Sequence, residues 1–381
     1  MGTEGCVAWH QPWMVGPRPP ATAYRPRPLS GSLAIVVLRL ALVGFGNLGK
    51  ALAAILRDHA GRLEREYEVS FPIVAVSDRG GAVLSSEPLP PARLLEVKAA
   101  SGSVSRYPEH GVPGMAAVEM VRRAAADVLV EIGPTNVVDG EPGLTHIRTA
   151  LERSIPVVTA NKGPLVTAFG ELRDLARRHG VQLMYGPATA AALPTVGFVT
   201  HQLAGSRVDR IEGILNGTTN YILTQMRERG VSYQEALRDA QALGIAEADP
   251  TLDVEGYDTA GKLLIIANCA MGGSLRLSEV ARQGITHLGA EDVRAAGASG
   301  KAIKLVGTAW REAGQVRAAV RPVLLEGGHP LAAVDGTEKG ITFHTDLLGT
   351  VTVTGGASGR TSAAASIVRD LLCLAREAHL P

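Results

Sequence analysis

The 381-residue chain reads as α/β: a doubly wound, mostly parallel sheet in its first half, then an α+β domain on a mixed sheet. Three observations carry that expectation. Apolar strands alternate with helically spaced apolar residues from Leu38 to about residue 180. The first strand runs straight into a glycine-rich turn, L-R-L-A-L-V-G-F-G-N-L-G. Late in the sequence, the segments A-I-K-L-V-G-T-A-W, V-R-A-A-V-R-P-V-L-L, G-I-T-F-H-T and G-T-V-T-V-T follow one another as strands without helices between them.

Length and composition fit two to three domains at ~150 residues each. Hydrophobic residues make up 46% of the total but aromatics only 4%, so alanine and branched aliphatics must build the core. A formal net charge of +1 provides no field for nucleic acid or an anionic membrane. Cys6, Cys269 and Cys373 are odd in number and scattered, so neither a disulfide framework nor a metal cluster is expected, which fits a reducing compartment. The first 36 residues differ: W-H-Q-P-W, P-R-P-P and Y-R-P-R-P favour neither helix nor central strand. They read as a disordered leader or as residues foreign to the native fold. The apolar stretch Leu33 to Phe45 is interrupted by Arg39 and leads into glycines, so it reads as a buried strand, not a membrane span.

After that strand, Leu48, Leu52, Ile55, Leu56 and Leu63 recur at helical spacing. A strand, then G-x-G-x-x-G, then an amphipathic helix is the arrangement of a Rossmann-type dinucleotide site. Gly44 makes the turn, Gly46 lets the backbone approach a pyrophosphate, and Gly49 allows close helix packing, with phosphates at the helix N-terminus. The strand F-P-I-V-A-V-S-D ends at Asp78, followed by Arg79. An acidic residue there suits the ribose hydroxyls of NAD and an arginine the 2′-phosphate of NADP, so the pair leaves both cofactors open. D-V-L-V-E-I-G-P-T-N, a helix from about Gly143 to Arg153, and I-P-V-V-T-A-N-K continue the alternation. The last of these brings Thr159, Ala160, Asn161 and Lys162 to a strand's carboxyl end, where open α/β sheets hold ligands.

Beyond a helix from about Gly163 to His179, V-Q-L-M-Y-G and R-I-E-G-I-L-N-G read as strands of the second domain. Thr218 to Arg229 and Ser232 to Leu243 read as helices, the first capped by Thr218 or Thr219. A-E-A-D-P-T-L-D-V-E-G-Y-D-T-A-G-K, Ala246 to Lys262, then sets four carboxylates and a lysine within a few turns of L-L-I-I-A-N-C-A-M, a run without charge. Such a run is a buried helix, and Asp258 and Lys262, four apart on it, share a face. Asp253 suits a helix N-cap. From Thr361 a terminal amphipathic helix carries Ile367, Leu371, Leu372 and Leu374 on its apolar side.

Four blocks together resemble the homoserine dehydrogenase family: G-F-G-N-L-G at 44–49, V-V-T-A-N-K at 157–162, E-G-I-L-N-G-T-T-N-Y-I-L at 212–223, and the 246–262 stretch. The ending H-P-L-A-A-V…T-D-L-L-G agrees. The resemblance implies NAD- or NADP-dependent interconversion of L-homoserine and L-aspartate 4-semialdehyde, on the branch leading to threonine and methionine. It implies a cytoplasmic homodimer whose interface is built on the V-x-A-V-R-P-V strands. Its domains would be a leader (1–36), an NAD(P)-binding domain (37–180), a catalytic and dimerisation domain (181–355) and a C-terminal helix (356–381) returning to the first.

On matching positions, Lys262 and Lys162 would stand at the reacting oxygen. Asp258 and Glu247 would hold the substrate ammonium with Asp253 close by, and Gly217 and Thr218 would line the pocket. Cofactor contacts would come from Gly44, Phe45, Gly46, Asn47, Leu48, Gly49, Asp78, Arg79, Thr135 and Lys162. Three departures stand out. Ile245 replaces a tyrosine common before A-E. G-P-A-T-A-A-A-L-P from Gly186 replaces a glutamate- and glycine-rich segment that binds a monovalent cation in some members. That weakens the expectation of a Na+ or K+ site near Thr189 and Ala191. The chain ends at Pro381, without room for the regulatory domain of longer relatives. Two other readings are a reductase of a different small amino aldehyde and a non-catalytic dinucleotide sensor.

Overall fold

Leu40–Val43, buried at every position, is the middle strand of a seven-stranded sheet in the computed structural model, which describes residues 35–356 and 359–378. The Pro/Arg-rich leader up to residue 34 lies outside the described residues. Ile73–Asp78, Leu40–Val43, Val128–Glu131, Val157–Thr159 and Leu183–Met184 run parallel, and Gly81–Leu84 and Gly111–Pro113 add an antiparallel edge. The register Val43↔Glu131↔Thr159 ends three neighbouring strands level with one another. The loops that follow therefore open on one edge, where chain order reverses about the first strand.

Both faces of this sheet are covered, as a parallel sheet requires. Leu52 and Leu56 of helix Asn47–Asp58 pack with Ile367 and Leu371 of the terminal helix Arg360–Ala378 against Leu40 and Leu42. On the other face, Ile147 and Leu172 from helices Gly143–Glu152 and Lys162–Arg178 pack on Ala41 and Val43.

Two local expectations change. The stretch from Leu33 does not form one strand: Val36–Val37 pairs with Val69–Ser70 in a separate two-stranded sheet. Arg39 then turns outward to chelate Asp127 through Nε (3.0 Å) and Nη2 (2.9 Å). The second correction concerns V-Q-L-M-Y-G, whose Leu183–Met184 pairs with Val157–Val158 and so closes the first sheet instead of opening the second domain. Helix 162–178 returns the chain to the strand it left, and the free edge there takes one more parallel strand.

The second sheet has six strands, in the order Ala281–Arg282, Gln315–Leu325, Ala302–Glu312, Val208–Ile214, Lys339–Thr345 and Gly349–Gly355. All neighbours are antiparallel except the first pair, so the sheet is mixed. Helix Tyr257–Met271 lies on one face with Leu263, Leu264, Ile265 and Ile266 all at 0% exposure. Burying each such side chain contributes roughly 1.5–3 kcal/mol. Its approach requires Gly307: a Cβ there would sit 3.2 Å from Thr259 Cγ2 and 3.3 Å from Leu263 Cδ2. Among the described residues no helix is long and apolar enough to cross a membrane.

Where the chain leaves the first sheet, Gly186 N donates to Asp370 Oδ2 (2.9 Å) on the terminal helix. Asp370 is 5% exposed. Burial pushes its carboxyl up to about 6, against the opposing pull of Arg369 and the Gly186 N–H. The folded form thus binds this proton more tightly than the unfolded chain, and the linked stability declines as pH rises from about 4 to about 6. Asp370→Asn keeps an oxygen for Gly186 N and removes the charge. We expect the variant to gain on the order of 2–3 kcal/mol at pH 7 and almost nothing at pH 4, read by urea unfolding at both. Equal stability of the two proteins at pH 7 would show that the ionised carboxylate is not penalised.

Candidate active site

Strand Val208–Ile214 runs through Leu215 into Asn216, which opens helix Gly217–Arg229. Asn216 has extended backbone angles (φ −125°, ψ 121°) and accepts Thr219 N on Oδ1 (2.9 Å), so the cap expected at Thr218 or Thr219 lies two or three residues earlier. An asparagine satisfies an orphan helix N–H with its oxygen and keeps an amide donor for other work. That Nδ2 donates to Asp253 Oδ1 (2.6 Å) and Asp258 Oδ2 (2.9 Å), drawing two carboxylates together. The sequence reading missed Asn216; its signal was a preferred capping residue directly after a strand.

Asp258 stands in the first turn of Tyr257–Met271, entered through Gly256 at φ +79°. One turn on, Lys262 Nζ donates to Asp258 Oδ2 (2.5 Å) and to Leu215 O (2.9 Å). Lys162, first residue of its helix in the other domain, reaches Asp258 Oδ1 at 3.1 Å. Two lysines from different domains therefore meet on one carboxylate. Burial opposes ionisation of Asp258, but Lys262, Lys162 and Asn216 together hold it well below the usual carboxylate range. Asp253 responds in the opposite sense: burial and the neighbouring Asp258 charge push it up, with Asn216 and Thr218 pulling back. Asp253 lies inside the short helix Thr251–Val254 and does not cap the buried helix.

A third lysine was not foreseen. The register Ile214↔Gly340 sets Lys339 beside Leu215, whose carbonyl Lys262 holds. Strand alternation turns it to the same side as Ile341 and Phe343, toward the helices. It is 5% exposed, and burial and the charge of Lys262 push it down to about 8, with Asp258 opposing. In the sequence it was one lysine ahead of an apolar strand.

Glu247 is not drawn into this cluster. It is exposed on its loop, and its carbonyl, not its carboxylate, accepts from Gln241 Nε2 (3.1 Å). Thr218 Oγ1 donates to Ile245 O (3.1 Å), and the Ile245 side chain packs on the core. Near the expected cation position, Thr189 Oγ1 is engaged by Gly186 O (2.8 Å) and Thr195 Oγ1 (2.6 Å), and Gly186 O and Ala190 O also accept from Thr189 N and Leu193 N. These partners leave that segment a poor fit for a monovalent cation.

On the facing edge, Gly44 takes φ +103°, and a Cβ there would lie 2.6 Å from Ile132 O. A Cβ on Gly49 would lie 2.6 Å from Gly44 O, whereas at Gly46 it would meet open space. With Phe45 buried and Asn47 and Leu48 opening the helix, the turn offers bare backbone at a helix N-terminus, which fits a pyrophosphate. Thr135 is exposed on the loop after Val128–Glu131, at the same edge. Asp78 departs from expectation. Its Oδ1 accepts Gly80 N (2.9 Å) and Ser103 Oγ (2.7 Å), and its Oδ2 accepts Lys98 Nζ (2.7 Å) and Val104 N (2.9 Å). A carboxylate has about four acceptor positions, and all are spent inside the protein, so ribose hydroxyls find none. Arg79 beside it is exposed.

A dinucleotide-type turn facing a lysine–carboxylate cluster across a domain boundary marks a nicotinamide-dependent dehydrogenase. Residues 44–186 match the family model described as homoserine dehydrogenase, NAD binding domain, and residues 194–372 match that described as homoserine dehydrogenase. The chain belongs to the homoserine dehydrogenase family. It is 39% identical over 334 residues to the homoserine dehydrogenase of Methanocaldococcus jannaschii, an overlap that takes in 87% of the present protein and 96% of that one. It is 38% identical over 336 residues to the NAD(+)-dependent homoserine dehydrogenase of Pseudomonas canavaninivorans, covering 88% and 95%. A hyperthermophilic archaeal homoserine dehydrogenase solved in complex with NADPH superposes with a TM-score of 0.76 at 25% identity, over 91% of the present protein and 99% of that one.

Because Asn216 both caps a helix and separates two carboxylates, Asn216→Ala should cost about 1–2 kcal/mol of stability. A denaturant midpoint unchanged from the parent would show that the cap and the amide bridge contribute nothing.

Proposed function

We propose that this chain interconverts L-homoserine and L-aspartate 4-semialdehyde with a nicotinamide dinucleotide, Lys262 and Lys162 assisting at the reacting oxygen. The observation that carries this reading is the convergence of those two lysines on Asp258. A bound nicotinamide would supply or accept the hydride. In reduction, the carbonyl oxygen becomes an alkoxide as hydride reaches its carbon, and Lys262 Nζ gives it a proton. In oxidation the hydroxyl proton returns to Lys262 as hydride departs. Lys162, a second cation beside it, stabilises the developing negative charge in a site that excludes water. Asp258 orients both ammonium groups, and Asp253 and Glu247 receive the substrate's own ammonium when the loop carrying Glu247 closes on it.

The saturation of Asp78 and the exposure of Arg79 support a preference for NADP over NAD. No step is routed through a monovalent cation. As such an enzyme it would serve threonine and methionine synthesis in the cytoplasm. A homodimer joined through Ala302–Glu312 and Gln315–Leu325 is supported by Leu324, 52% exposed on the second strand; sedimentation at the monomer mass would overturn it.

Homoserine oxidation assayed separately with NADP and NAD tests the reading, with the higher kcat/KM expected for NADP. Lys262→Ala should lose about 10²–10⁴-fold in turnover while its cofactor Kd, read by fluorescence, stays within about twofold. Near-normal turnover in that variant would remove Lys262 from the mechanism.

A further inference from the structure

Behind the nucleotide edge lies a buried ionisable pair that the proposed chemistry does not use. Glu131, at the carboxyl end of Val128–Glu131, is 0% exposed, and His146 on helix Gly143–Glu152 is 5% exposed. His146 Nδ1 meets Glu131 Oε2 at 2.9 Å. The other oxygen, Oε1, accepts Gly133 N (2.9 Å) and, more weakly, Asn161 Nδ2 (3.4 Å). The same Asn161 amide donates to Pro134 O (3.2 Å), and its Oδ1 accepts Gly163 N (3.1 Å), capping the helix that begins at Lys162. Thr159 Oγ1 donates to Glu131 O (3.1 Å) and accepts Asn161 N (3.0 Å).

One carboxylate thus ties three parts together: the turn at 133–134, helix Gly143–Glu152, and the cap preceding Lys162. The packing leaves little slack. A Cβ on Gly143 would lie 2.5 Å from Asn161 Nδ2, and one on Gly163 would lie 2.2 Å from Asn136 O. The turn also backs onto the first glycine of the nucleotide motif, since Ile132 O is what a Cβ on Gly44 would strike. A buried ion pair is poor evidence for stability, because desolvation offsets its attraction. Its geometric effect is specific: it fixes where the backbone of Asn161, and hence the root of the Lys162 side chain, stands relative to the dinucleotide turn.

We propose that Glu131, held by His146, is a positioning residue that sets Lys162 through Asn161 and the 133–134 turn. This rests on the reading that Lys162 assists the reaction, and the test separates the two. Glu131→Gln preserves shape and one acceptor; Glu131→Ala removes both contacts. In folded protein, kcat for homoserine oxidation should fall about 10–100-fold in Glu131→Ala and less in Glu131→Gln, with KM for homoserine within about twofold. Adding either substitution to Lys162→Ala should cost little more than Lys162→Ala alone, because the residue acts through that lysine.

A readout independent of turnover is competitive trace acetylation followed by mass spectrometry. Lys162 should acetylate several-fold faster in Glu131→Gln and Glu131→Ala than in the parent, with Lys262 and Lys339 unchanged. Equal acceleration at all three lysines, additive kinetic losses, or an unchanged Lys162 rate in folded Glu131→Gln would each overturn the proposal. If the parent protein does not oxidise homoserine, the reading of function fails, while the acetylation pattern still decides the positioning role.

Discussion

Asp258 is a carboxylate carried into the interior on an apolar helix, and such a group is tenable only with cations or donors around it. It finds them in Lys262 from its own helix, Asn216 from the end of a strand, and Lys162 from the other domain. Removing any one would leave charge less compensated in a poorly solvated place, which costs more than an intact pair contributes. The arrangement therefore couples the relative position of two domains to one residue's need for partners. Both lysines are held in the same contact, with the second domain's sheet behind one and the nucleotide sheet behind the other.

The electrostatics of the cluster are graded. Asp258 is surrounded by positive charge and held low, while Asp253, sharing the same amide, is pushed up by burial and by its neighbour. Lys339 stands behind Lys262 and is pushed down by burial and by that like charge. Neighbouring groups with opposed tendencies are what proton transfer near neutral pH requires. Here they arise from packing the start of one helix against the ends of two strands.

At the nucleotide edge, level strand ends bring the turns after Val43, Glu131 and Thr159 to one side of the sheet. Gly44 then packs its backbone on Ile132, and the buried Glu131 ties the same turn to the helix bearing Lys162. Cofactor cradle and catalytic lysine thus share one framework. Asp78 was expected at the ribose but serves its own loop, binding the segment from Lys98 to Val104.

How much of this could be read from the sequence follows from the range of the forces involved. Strand–glycine–helix order, the uncharged helix after Lys262, and the i,i+4 relation of Asp258 and Lys262 are local, set by side-chain period and backbone freedom, so the sequence by itself determined them. The family motifs pointed to Lys162 and Lys262 as partners though they stand 100 positions apart in sequence. Partner choice among polar groups was decided only by the tertiary structure. Asn216 took the cap expected of Thr218 or Thr219, Leu183–Met184 joined the first sheet, Asp78 spent its acceptors internally, and Lys339 entered from a distant strand. In each case several groups near in sequence had equal local claims, and distance and burial in the folded protein settled which was met.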